Sequence, residues 1–238
     1  MIPVLFQDRL LAVCVKPPGV LSQDGPGETL PAMLREQLGC GIYPVHRLDR
    51  EAGGVMVCAK TSRAAGALSA AMAGGAFEKR YLCIVRGRLE EREGTWTDLL
   101  LHDKVRNKSF LVKRMRGGVK EASLDYRVLA EKDGLSLVLV RLHTGRTHQI
   151  RVQFAGRGMP LVGDGRYGGG VGEMALWSVF LSFPHPEGGP AAFRAIPEGA
   201  VWRTFFGELP GLEEEISFPL GRPDEKRGPA GRGGRKEG

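Results

Sequence analysis

Apolar residues recur along the chain in two rhythms. Runs that are continuously apolar, or that alternate with polar residues between glycines and prolines, predict strands. Such runs are LLAVCVK (10–16), stopped by PPG, then GVMVCAK (54–60) and KRYLCIVRG (79–87). ASLDYRVLAE (122–131) and LSLVLVRL (135–142) alternate on either side of KDG, a hairpin signal. ALWSVFLSF (175–183) and AAFRAI (191–196) close the sheet as two more strands. Helical spacing links Leu30, Leu34 and Leu38, bounded by Gly39. Thr61 is placed to cap an alanine-rich helix running to about Met72. One stretch fits both rhythms: Ile150, Val152 and Phe154 alternate as in a strand, yet Thr147 would cap a helix.

Composition adds bounds. An apolar content of 42% over 238 residues supports a substantial core, and residues 1–220 are expected to form one domain. The remainder, GRPDEKRGPAGRGGRKEG (221–238), lacks apolar periodicity and is expected to be a disordered basic tail. A net charge of +7 favours a polyanionic partner, nucleic acid first. Six basic and three acidic residues in the tail supply +3 of it, leaving +4 elsewhere. Cys14, Cys40, Cys58 and Cys83 are widely spaced with no C-x-x-C, so neither a disulfide framework nor a zinc site is expected. MIPVLFQDRLL carries charges where a signal peptide needs its apolar centre. No apolar run approaches the roughly 18 residues of a membrane span. A soluble, cytoplasmic protein is expected, with a monomer as the default.

The candidate chemistry concentrates in VHRLDREAGGVMVCAK (45–60), where Asp49 lies among Arg47 and Arg50 just before an apolar strand. A surface ion pair would be worth only about 0–1 kcal/mol. A carboxylate that reacts at neutral pH must be ionised, which burial opposes and a nearby guanidinium favours. A second polar cluster, LHTGRTHQIRVQF (142–154), crowds Arg146, Thr147, His148, Gln149 and Arg151, donors suited to phosphate and sugar. His143 and His148 have neither H-E-x-x-H spacing nor an acid or cysteine nearby, so no metal is expected. GDGRYG (163–168) matches G-x-G-x-x-G, but it runs into GGVGEM, a poor helix start, and reads as a glycine-rich turn. G-x-S-x-G is absent. Asp49 and Glu51 stand two residues apart, whereas glycosidases set their carboxylates on separate elements.

Five segments in order resemble the RluA-type family of RNA pseudouridine synthases. They are VKPPGVLSQ (15–23), HRLDREAGGVMVCAK (46–60), KRYLCIVRG (79–87), TGRTHQIRVQFAGRGMPLVGDGRYG (144–168) and LSFPHP (181–186). The resemblance implies an α+β fold, with a mixed, mostly antiparallel central sheet flanked by helices and loops around an RNA-binding cleft. It implies isomerisation of uridine to pseudouridine in ribosomal or transfer RNA, without cofactor or metal. By similarity Asp49 is the catalytic aspartate, Tyr81 the active-site tyrosine and Arg151 the partner of the aspartate. Arg47 is expected to help displace the target base, while Arg146, His148 and Gln149 are candidate RNA contacts. The alternative expectation is an RNA-binding protein of the same fold without catalysis. Two departures stand out: Ala52-Gly53 where the family usually has Thr-Ser, and Gln153 where it usually has His. Many relatives carry an S4-type RNA-binding domain ahead of these motifs. Here the motifs start near Met1, so recognition is expected to rest on the cleft and the tail.

Overall fold

The computed structural model describes residues 1–206 together with Glu214 and Ile216. The tail expected at 221–238 lies outside the described residues. β1 (Val4–Gln7) and β2 (Leu11–Lys16) precede α1 (Leu30–Leu38), then β3 (Tyr43–Pro44), β4 (Gly53–Ala59) and α2 (Ser62–Ala73). β5 (Glu78–Arg86), β6 (Glu93–Asp103), β7 (Lys108–Val112), β8 (Val119–Lys132) and β9 (Leu135–Leu142) follow without a helix between them. α3 (Gln149–Ala155), β10 (Leu176–Pro184), β11 (Pro190–Arg194) and α4 (Ala200–Phe206) complete the order.

All eleven strands join one sheet, ordered β1-β2-β4-β10-β5-β9-β8-β6-β7, with β11 on β10 and β3 on β4. The β4–β10 pair is parallel and the others are antiparallel, giving the mixed, mostly antiparallel sheet expected. Local chemistry sets the boundaries. Thr29 caps α1 by accepting from the Ala32 amide, and Gly39 ends it in the left-handed region at φ 64°. Thr61 caps α2 through the Ala64 amide. Asp133 and Gly134, both at positive φ, make the tight β8–β9 turn that KDG predicts.

The central strands are buried on both faces, which explains their unbroken apolar runs. Tyr81, Cys83 and Val85 of β5 join Leu30, Leu34, Ile150 and Phe154 in one core. Leu82 and Ile84, pointing the other way, join Trp202 and Phe205 of α4 in another. β1 and the β6–β7 hairpin were not among the predicted strands. The ambiguous residues Ile150, Val152 and Phe154 lie in the helix α3, whose N-cap is His148 rather than Thr147, with no side-chain cap bond. Gly53, half of one departure from the family pattern, packs under the Trp177 ring: a Cβ there would lie 2.2 Å from it, so a serine would require that ring to move. Gln153 accounts for the other, donating to Asp98 at 2.7 Å and tying α3 to β6. All four cysteines are free thiols. Among the described residues no helix is long and apolar enough to cross a membrane.

Candidate active site

The segment before β4 is pinned at His46, Leu48 and Arg50, and this fixes Asp49. The His46 ring accepts from the Val57 amide at 3.1 Å. Leu48 is buried, and Ser22 clips its backbone twice, donating to its carbonyl (2.7 Å) and accepting from its amide (3.2 Å). Lys16, 0% exposed, donates to the carbonyls of Pro17, Val20 and Arg50. Its burial pushes it down to about 8, against the opposing charges of Asp49 and Glu51. The VKPPGVLSQ segment is therefore a brace for the Asp49 loop. Arg47 and Arg50, the sequence neighbours of Asp49, point to solvent, and Arg50 donates to Gly19.

The charge against Asp49 comes instead from α3, 102 residues away in sequence: Arg151 Nη1 donates to Asp49 Oδ2 at 3.0 Å. Asp164, from the glycine-rich turn, grips the rest of the same guanidinium as a fork, with Nε–Oδ2 at 2.7 Å and Nη2–Oδ1 at 2.8 Å. Burial disfavours the charged form of Arg151, but the bonds and charges of Asp164 and Asp49 outweigh it and raise its pKa. The sequence reading of GDGRYG as a glycine-rich turn gives Asp164 no role of its own. Its glycines serve backbone packing: at Gly163, φ 76°, a Cβ would lie 2.0 Å from the Glu173 carbonyl.

Asp49, Tyr81, Arg151, Arg47, Arg146, His148 and Gln149 all line one cleft of about 300 Å³. Tyr81 is buried on the cleft face of β5, and burial, with the charge of Asp49, keeps its hydroxyl protonated. His148 is in the left-handed region at φ 56°, its Nε2 3.9 Å from Asp49 and its Nδ1 3.1 Å from the Tyr167 hydroxyl. Burial lowers its pKa, with Asp49 opposing and Arg151 adding to the shift, so the ring is neutral at pH 7. Gln149 lines the cleft while its carbonyl accepts from Thr144 and the Arg146 amide and its amide donates to Ser123. It shapes the loop, with its polar atoms engaged inside the protein. Arg146 is exposed, its Nε donating to the Glu121 carbonyl. Lys79, two residues before Tyr81 on β5, also lines the cleft and was not singled out in the sequence.

His46 carries a pH prediction. Burial lowers it from 6.5 to about 3, and the nearby Lys79 charge adds to this. As pH falls through 6.5 the unfolded chain takes up a proton that the native ring refuses until about 3. Stability is thus complete above 6.5 and lost below it, with a slope approaching 1.4 kcal/mol per pH unit at about pH 5. Urea unfolding between pH 5 and 8 should show this slope. His46→Gln, which keeps an acceptor for the Val57 amide, should flatten it by about one proton.

Residues 10–156 match the family model described as RNA pseudouridylate synthase. The chain is 34% identical over 196 residues to the uncharacterized RNA pseudouridine synthase YhcT of Bacillus subtilis, covering 77% of this chain and 64% of that protein. It is 32% identical over 214 residues to tRNA pseudouridine synthase C of Haemophilus influenzae, covering 78% of this chain and 88% of the relative. The fold is similar to that of human RNA pseudouridylate synthase domain containing 1, with a TM-score of 0.71 and 24% identity over 83% of this chain and 84% of that one. The protein belongs to the RNA pseudouridylate synthase family.

Proposed function

We propose that the protein is an RNA pseudouridine synthase that isomerises uridines of ribosomal or transfer RNA, with Asp49 as its catalytic carboxylate. One observation carries the reading: in a cleft whose other charged side chains are all cations, a rigidly held carboxylate faces the open space beside Tyr81 with a guanidinium fixed behind it. A surface that only bound RNA would be weakened by that carboxylate, which repels phosphate. In the reaction the N1–C1′ bond breaks, uracil turns in place and C5 joins C1′. The proton leaves C5 and N1 gains one, so the product is an isomer. Asp49 serves equally for attack at C1′, addition at C6 or removal of a sugar proton. Tyr81 offers its ring to the uracil face and its hydroxyl near C5. Arg47, exposed at the rim, takes the place of the base as it leaves its stack, a step costing a few kcal/mol.

The test is pseudouridine mapping by carbodiimide and primer extension on total RNA from cells with and without the protein. At least one uridine should be modified only when the protein is present. Unchanged RNA, together with RNA binding by the purified protein, would favour a binding protein without catalysis.

A further inference from the structure

The cleft holds a cation that the reaction as described leaves unused. Lys79 and Tyr81 stand two apart on β5 and so project from the same face of the sheet, and both line the cleft. The other basic residues there are accounted for: Arg151 is held by two aspartates, Arg146 is tied to a carbonyl, and Arg47 is at the solvent rim. Lys79 is partly buried and makes no side-chain hydrogen bond or ion pair among the described residues. Its neighbours on β5 and across the sheet are not short of acids, since Glu78 pairs with both Arg80 and Arg141, yet none turns to Lys79. Burial alone moves its titration, downward. Its ammonium ends beside Gly145, 3.4 Å from where a Cβ would stand, so this residue of the loop before α3 puts no side chain against it.

An ammonium drawn from water without a counterion destabilises the fold. The anion of the cleft, Asp49, is already held by Arg151. RNA brings one anionic group of its own, the phosphodiester. Resting on the reading of the cleft as a uridine site, we infer that Lys79 is a phosphate-binding residue, pairing with the phosphodiester of the nucleotide that enters beside Tyr81. The charge-assisted contact would hold the backbone while the base detaches and turns, the stage at which the nucleotide has least connection to its surroundings.

The probe is fluorescein-labelled decauridylate, single-stranded so that no duplex must open, bound to the full chain across a series of salt concentrations. Loss of one phosphate contact lowers the slope of log K against log salt by about 0.7. Lys79→Met is expected to show that decrease and an affinity about tenfold weaker at low salt. Lys79→Arg should restore the slope, and Lys79→Met should melt no lower than the parent, because it removes an unpaired charge. With the mapped RNA substrate, KM should rise more than kcat falls. Weaker binding at an unchanged slope would mean a contact to a neutral group and overturn the inference, as would a lowered melting temperature with an unchanged slope. Pseudouridine formation by the parent protein is scored separately. Its absence would sink the uridine reading, whereas its presence with an unchanged Lys79→Met slope sinks only the phosphate contact.

Discussion

Asp49→Asn is expected to lower the rate of pseudouridine formation by about 10⁴-fold or more, the scale seen when a nucleophile or base is removed from an enzyme. Asparagine keeps the shape of the side chain and loses its charge. The amide neither attacks carbon as an anion nor takes a proton, so each of the three roles open to Asp49 fails alike. The fold should tolerate the change. Arg151 keeps its two bonds to Asp164, and the loop remains held by Ser22, Lys16 and the His46 ring. The melting temperature should therefore stay the same or rise slightly, as happens when a functional site held for reactivity is relaxed. Glu51 supplies the control, because it also approaches Arg151, at 3.7 Å, but is half-exposed. Glu51→Gln should act within a few-fold of the parent. Tritium release from RNA labelled at C5 of uridine, followed in single turnover, reads all three proteins on one substrate. If Asp49→Asn kept more than a hundredth of the parent rate, the assignment of the carboxylate would fail.

The elements that sequence reading recovers are those whose own residues decide them. The strands at 10–16 and 79–87 have continuous apolar centres because both of their faces are covered, and the helices at 30 and 62 carry threonine caps. The β6–β7 hairpin escapes this approach because its strands lie near the sheet edge, where Thr95, Thr97 and Asp98 interrupt any apolar signal. For the site, Asp49, Tyr81 and Arg151 come from resemblance, and the geometry adds what surrounds them. Whether the donors at 146–149 faced RNA or the protein depended on the conformation of His148. Its left-handed backbone starts a helix and turns Gln149 inward. No propensity predicts that turn. Asp164 was hidden for a different reason: its role exists only through Arg151, and nothing local to a glycine-rich turn reveals a partner on a helix.

Asp164→Ala is expected to be the most damaging single substitution for stability, at about 3–5 kcal/mol, with activity also falling by about 10²-fold. Asp164 is 1% exposed and Arg151 3% exposed, so neither has water to fall back on. Removing the carboxylate leaves a buried guanidinium with Asp49 and the half-exposed Glu51, both on Nη1, and the turn also loses an acceptor for the Arg166 and Tyr167 amides. Arg151 would then close on Asp49 with its whole fork. The carboxylate that should face substrate would be drawn into the wall, which is why activity falls although every proposed catalytic residue is present. A second substitution separates the two effects. Asp164→Ala with Arg151→Met removes both buried charges together, and replacing a buried pair by apolar groups is often neutral. The double variant should therefore recover most of the lost stability in urea unfolding. It should recover none of the activity, since Asp49 then has no guanidinium behind it. Equal losses of stability in the single and double variants would place the cost in the turn rather than in the orphaned charge. Full activity in the double variant would show that Arg151 has no part in the reaction.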